Sequence, residues 1–298
     1  MGLASPFTQE GPVYIIQQGD SLNSIALRFG VPPDELATAN NISDPNTLFI
    51  GQQLIIPGLE GIRGILVSEV LPFGSSLTGL IRQYGLKQED LVFLNRLASP
   101  SEMVAGLKFI IPIEEQQTPK APLVSSAYDS TLVDLAIRSG GSPWRLVDDN
   151  QLQGTWDILP GETLYSELDD EGLESSPYPA PIIDIALNNL PVIQGETLHI
   201  SISTSEPVDF SGSFDGHSLR FFTEDDEMYY SFHGIHALAE PGPFRLEITA
   251  NLLDGGIFTF DQLVMLIEGG YGDQWVNVPE EYLDEVRPLI LEGVPSPW

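Results

Sequence analysis

The stretch Tyr14-Ile15-Ile16-Gln17-Gln18-Gly19-Asp20-Ser21-Leu22-Asn23-Ser24-Ile25-Ala26-Leu27-Arg28-Phe29-Gly30 holds a strand, a turn and a helix in immediate succession. Val13 to Ile16 is an extended apolar run. Gly19-Asp20-Ser21 is a turn whose Asp or Ser can cap a helix N-terminus. Leu22, Ile25, Ala26 and Phe29 recur at helical spacing and mark one buried face. Gly30 stops the helix. Pro32-Pro33-Asp34 opens a second helix carrying Leu36 and Ala39. Asn40 to Gly51 is a loop, and Leu54-Ile55-Ile56-Pro57 is a closing strand. The predicted unit is β-α-α-β, two helices over one face of a two-stranded sheet.

The unit repeats. A shift of 55 residues brings Gly19, Leu22, Phe29, Gly30, Leu36, Asn40, Gly51, Ile56 and Pro57 onto Gly74, Leu77, Tyr84, Gly85, Leu91, Asn95, Gly106, Ile111 and Pro112. A shift of 110 brings Ser21-Leu22 onto Thr131-Leu132, and Leu36, Asn40, Gly51 and Leu54 onto Leu146, Asn150, Gly161 and Leu164. Neither alignment needs a gap. Glu114 to Pro122 and Leu168 to Pro181 have the composition of extended, solvated spacers.

From Ile182 the period becomes two, in Thr197 to Ser203, Met228 to Phe232, Phe244 to Thr249 and Ile257 to Ile267. Turns separate these runs at Phe214-Asp215-Gly216, Pro241-Gly242-Pro243 and Leu253 to Gly256. That pattern predicts an all-β, immunoglobulin-like sandwich. Glu280 to Leu291 resumes helical spacing. The expected division is a tail (1–12), three units (13–58, 65–113 and 123–168), a sandwich (182–279) and a helical, Pro-rich connector (280–298).

The net charge of −31 over 298 residues argues against nucleic acid, whose ligands need a basic face. It argues equally against docking on an anionic membrane. No apolar run is long enough to span a bilayer. With no cysteine, disulfides and thiolate metal sites are excluded.

The first unit resembles the LysM family. Tyr14, Gly19 to Leu22, Ile25-Ala26, Phe29-Gly30-Val31, Leu36, Asn40, Leu48, Ile50-Gly51-Gln52 and Leu54 to Pro57 carry the resemblance. It implies binding of N-acetylglucosamine polymers such as peptidoglycan or chitin in a shallow groove. The implied contacts are Gly19, Asp20, Ser21 and Leu22 on one side and Pro45, Asn46, Thr47, Leu48 and Ile50 on the other. Backbone groups would pair with the sugar amide, and Leu22 or Leu48 would receive its methyl. The second and third units are similar but degenerate. Ser75 stands for the aspartate, Pro100 to Met103 fill the second loop, and Asp129-Ser130-Thr131 replace Gly-Asp-Ser. More faintly, Tyr230 to Ala237 and Glu240 to Leu246 resemble the region ahead of the catalytic unit in lysostaphin-type zinc endopeptidases. That resemblance implies a continuation past Trp298 into such a unit.

Catalytic constellations are missing. His233 and His236, three apart on an expected strand, point to opposite faces. A zinc site needs three or four ligands. Glu224 to Glu227 lacks the pattern of a calcium loop. Asp148-Asp149 and Asp169 to Glu171 do not specify a glycosidase pair. The expectation is therefore a non-enzymatic, cofactor-free and metal-free wall-targeting region, located outside the cell or in its wall or periplasm. A spore-coat or envelope assembly protein, or a glycan hydrolase using the β domain, are the alternatives.

Overall fold

The computed structural model describes residues 11–114, 118–125, 131–138, 141–158, 162–166, 176–253 and 255–271. The element order β-α-α-β occurs three times: β1 (Val13–Ile15), α1 (Leu22–Phe29), α2 (Pro33–Ala39) and β2 (Gln53–Ile55); β3 (Ile65–Val70), α3 (Leu77–Tyr84), α4 (Gln88–Asn95) and β4 (Lys108–Ile113); β5 (Ala121–Ser125), α5 (Leu132–Arg138), α6 (Pro143–Asp149) and β6 (Thr163–Ser166).

The same local devices recur in each unit. Ser21, Ser76 and Thr131 accept from the backbone N–H three residues on, at 3.1, 3.0 and 3.2 Å. These bonds satisfy a donor that the first helical turn leaves orphaned. Gly30 and Gly85 end their helices at φ 70° and 61°. Asn40, Asn95 and Asn150 each donate Nδ2 to the carbonyl four residues back and to one fifteen residues on. Each also accepts from the backbone N–H fifteen residues on. One carboxamide thus ties the end of the second helix to the closing strand in all three units.

The sheets depart from the expected one pair per unit. β1 and β3 run parallel, with Tyr14 opposite Leu66, and join the first two units in one sheet of order β2-β1-β3-β4. Nine residues, Ile56 to Gly64, connect β2 to β3 and return the chain to the free edge of β1. Gly64 O accepts from Val13 N–H at 3.0 Å and seats the next strand beside β1. Leu94 and Ile110 of the second unit accordingly share the core of Tyr14, Leu22, Ile25, Leu36 and Leu54. The third unit keeps its own pair, β5 and β6. It is docked on α3 by Arg82, which pairs with Glu162 at 3.2 Å.

The strands β7 (Ile182–Asn188), β8 (Val192–Ile193), β9 (Thr197–Thr204), β10 (Val208–Phe214), β11 (His217–Leu219), β12 (Phe222–Thr223), β13 (Met228–Gly234), β14 (Gly242–Leu252) and β15 (Ile257–Ile267) form two sheets. Their orders are β11-β10-β14-β15-β8 and β12-β13-β9-β7. Inward residues of both, among them Ile200, Ile202, Leu246, Ile248 and Val264, make one core. Of Pro241-Gly242-Pro243, expected as a turn, Pro241 is a bend and Gly242 opens β14 opposite Leu266.

The spacers are not all solvated. Lys120 N–H donates to Gln83 O at 2.9 Å, and Ala121 already belongs to β5. Tyr178 is buried in the core shared by these two sheets, and its hydroxyl lies 3.2 Å from Phe73 O. An aromatic ring next to an apolar sheet gains more by burial than by hydration. The tail (apart from Gly11 and Pro12), Leu168 to Ser175 and the expected helix Glu280 to Leu291 lie outside the described residues.

Candidate functional site

The two loops expected to form a groove leave the same end of the first sheet. Gly51 N–H donates to Ile16 O at 2.8 Å, and Ile16 N–H donates to Gln52 O at 2.9 Å, which anchors the second loop to the strand that feeds Gly19. Gly19 and Gly51 have φ of 86° and 85°. These left-handed positions cost other residues steric strain.

The turn after β1 is held by a buried polar knot. Tyr14 Oη donates to Asp20 Oδ2 at 2.7 Å and accepts from Arg28 Nη1 at 2.6 Å. Gln17 N–H donates to the same carboxylate oxygen at 2.8 Å. Burial, reinforced by the Asp20 bond, pushes the Tyr14 hydroxyl up to about 12, so it stays a donor at neutral pH. Asp20 therefore shapes the turn, and its carboxylate faces inward. Ser21 is likewise committed, as one half of a capping box with Ser24.

Leu22 does not reach the groove. It is 3% exposed within the first unit's core, because it begins the apolar face that continues through Ile25 and Ala26. Leu48 is half-buried and packs on the same core. Pro45, Asn46 and Thr47 are exposed. Asp44 Oδ1 accepts from Asn46 N–H and Nδ2, and Thr47 Oγ1 donates to Asp44 O, so those side chains stiffen their own loop. Ile50 is 71% exposed, and so is its neighbour Phe49 at 70%. Sequence reasoning missed Phe49. The signal was present: three consecutive apolar residues on a loop, Leu48-Phe49-Ile50, cannot all turn inward.

The backbone supplies what the side chains do not. Gly19 N–H, Leu48 C=O and both backbone groups of Ile50 have no hydrogen-bond partner among the described residues. Flanked by Phe49 and Ile50, they give the loop pair both donors and acceptors for an uncharged polar ligand and apolar surface for its methyl or ring face.

The LysM domain family matches residues 14–57. Residues 14–57 are a LysM domain. The chitin elicitor-binding protein of Oryza sativa subsp. japonica is 28% identical to this chain over 111 residues, 34% of this chain and 31% of that protein. The N-acetylmuramoyl-L-alanine amidase XlyA of Bacillus subtilis is 51% identical over 43 residues, 14% of either chain. This chain thus spans less than a third of either relative's length. The spore cortex-lytic enzyme SleL of Bacillus megaterium is similar at 23% identity with a TM-score of 0.27, over 40% of this chain and 26% of SleL.

Outside the LysM domain, His233 and His236 do not form a pair on one strand. His233 lies near the end of β13, whereas His236 lies past it, its Nδ1 accepting from Leu238 N–H at 3.0 Å. No three His, Cys, Asp or Glu side chains gather as a metal site among the described residues. No helix among them is long and apolar enough to cross a membrane. Glu224 to Glu227 is a turn in which Asp225 Oδ1 accepts from Glu227 and Met228 N–H, which lowers that carboxyl's pKa.

His233 packs beside Phe214 and His217. Burial first, and His217 second, hold its pKa below the ordinary imidazole value. Between the unfolded value of about 6.5 and the lower folded one, the unfolded chain binds the extra proton, so folding stability falls as pH falls. His233→Gln should flatten that loss between about pH 7 and pH 5. Urea titrations with identical pH slopes for both proteins would refute the assignment.

Proposed function

We propose that the LysM domain holds a glycan built from N-acetylglucosamine, peptidoglycan foremost, between the Gly19 turn and the Pro45–Ile50 loop. The observation that carries this reading is the set of unpartnered backbone groups at Gly19, Leu48 and Ile50 beside the exposed Phe49 and Ile50. An acetamido group offers a carbonyl, an N–H and a methyl, and the loop pair offers the complement of each. The names of the two sequence relatives, a chitin elicitor-binding protein and an N-acetylmuramoyl-L-alanine amidase, agree with it. We read the three β-α-α-β units as three modules of one type and the two sheets as an immunoglobulin-like sandwich. The whole chain then serves as the targeting region of a cell-wall enzyme, outside the cell or in its wall, and does no chemistry itself.

The test is pelleting of the chain with insoluble peptidoglycan, scored together with the turbidity of the suspension. The chain should pellet without clearing it. Binding through amide bonds and apolar contact should survive about 0.5 M salt, at which the Debye length is only a few ångströms. Release by salt would replace the groove with ion pairing, and clearing would make the chain a hydrolase. Deleting residues 13–57 is a poor test, because it would strip β3 of its neighbour β1 and open the shared core. Surface substitutions serve better.

A further inference from the structure

The second unit has the same loop pair, and its backbone groups are hydrogen-bonded from within the chain. The 55-residue shift carries Gly19, Asp20, Leu48 and Ile50 onto Gly74, Ser75, Met103 and Ala105. Gly74 N–H donates to Gln262 Oε1 at 2.7 Å. Gln262 Nε2 donates to Ser75 O and to Met103 O, both at 3.0 Å. Ala105 N–H donates to Leu263 O at 2.9 Å, and Ala105 O accepts from Met265 N–H at 2.8 Å. The backbone groups left unpartnered in the LysM domain are, in the second unit, bonded to β15 of the sandwich.

The glycines that turn the two loops keep their backbone conformation, although the second loop of the second unit winds into a 3-10 turn over Pro100–Glu102. Gly74 and Gly106 have φ of 85° and 90°, against 86° and 85° for Gly19 and Gly51. What differs is the space in front of them. A Cβ at Gly19 or Gly51 would meet nothing within 4 Å. One at Gly74 would lie 2.8 Å from the Tyr178 hydroxyl, and one at Gly106 would lie 3.0 Å from Pro191 Cα.

We propose that the second unit is a converted saccharide groove in which the Gln262 carboxamide stands where an N-acetyl group would, and β15 where the sugar chain would. Resting on the reading of the LysM domain as a glycan site, this assigns the second groove a protein ligand and closes it to glycan. A carboxamide and an acetamido group present the same planar acceptor and N–H donor. The carboxamide has a second N–H, which here takes the second carbonyl. Held by backbone atoms of both loops, Gln262 is the pin that fixes the sandwich at a set position relative to the open groove. A glycan therefore gains no second attachment, and hence no avidity, from this unit.

The test is amide hydrogen exchange on the full chain and on Gln262→Ala, each with and without the N-acetylglucosamine tetrasaccharide. In the parent chain the sugar should slow exchange at Gly19 and Ile50 and leave Gly74 and Ala105 unchanged. Gln262→Ala should speed exchange at Gly74, Ala105 and Met265 by about tenfold or more, since three hydrogen bonds are lost at once. The Ile25 and Ile200 amides, in the cores of the LysM domain and the sandwich, should not change and so report an intact fold. Protection of Gly74 and Ala105 by the sugar in the parent chain would overturn the proposal, as would unchanged exchange at those amides in Gln262→Ala. If the sugar protects no amide at all, the glycan reading of the LysM domain fails, and the Gln262→Ala comparison alone decides whether the joint exists.

Discussion

Ile50→Asp should abolish pelleting with peptidoglycan, lowering affinity tenfold or more, while leaving the fold intact. Ile50 is 71% exposed, so it contributes little to folding, and surface changes of this kind move stability by about 0.5 kcal/mol or less. Its loss from a ligand contact removes roughly 1.5–3 kcal/mol of apolar burial, and each ~1.4 kcal/mol is a factor of ten. The aspartate adds a charge that a neutral sugar face cannot solvate. Phe49→Ala should act in the same direction. Leu22→Ala provides the contrast, because Leu22 lies in the core. It should cost about 2–5 kcal/mol of stability and leave the affinity of the folded fraction unchanged. Denaturant titrations alongside the pelleting assay separate the two effects. Wild-type binding by Ile50→Asp would remove the Pro45–Ile50 loop from the site.

The second large effect is on folding. Asn150→Ala should destabilise the third unit by about 2–4 kcal/mol, because it strands the N–H and C=O of Tyr165 in a dry interior, while the carbonyl of Leu146 keeps its bond from the backbone N–H of residue 150. The same substitution at Asn95 and Asn40 should cost progressively less. The Asn150 bonds are buried, those of Asn95 are half-buried, and Asn40 bonds Ile55 at the surface, where water replaces the lost partner. Thermal or urea unfolding of the three variants measures the order. A reversed ranking, or costs below about 0.5 kcal/mol throughout, would show that the carboxamide clamp is incidental.

The aligned asparagines show how far a single chain can be read. Their spacing placed them at one position in three repeats, and the Gly, Ser and Leu positions around them dictated caps, stops and buried faces. Such features are local, set by φ, by hydrogen bonds across three or four residues and by the helical period, so they appear in the order of the letters. The groove was legible only in outline. Gly19, Pro45 and Ile50 lie exposed, whereas the side chains of Asp20 and Ser21 are consumed by the turn and helix cap they build. Leu22 and Ile50 are equally apolar in the sequence, and only packing sends one inward and the other out.

The sequence by itself determined the LysM domain, the repeat of its element order and the change to period two after Ile182. Each of these depends on neighbours along the chain. The tertiary structure alone decided that two units share a sheet, that Tyr178 leaves its spacer for the core of the β7–β15 sheets, and that Gln262 bonds the loops of the second unit. Those outcomes depend on which backbone groups meet which distant segment, as Tyr178 meets Phe73 across 105 residues and Gln262 meets Ser75 and Gly74 across 187 and 188. A glutamine on a strand carries no mark of that meeting. Its partners are backbone atoms, which every residue possesses, and only the fold brings them within hydrogen-bonding distance.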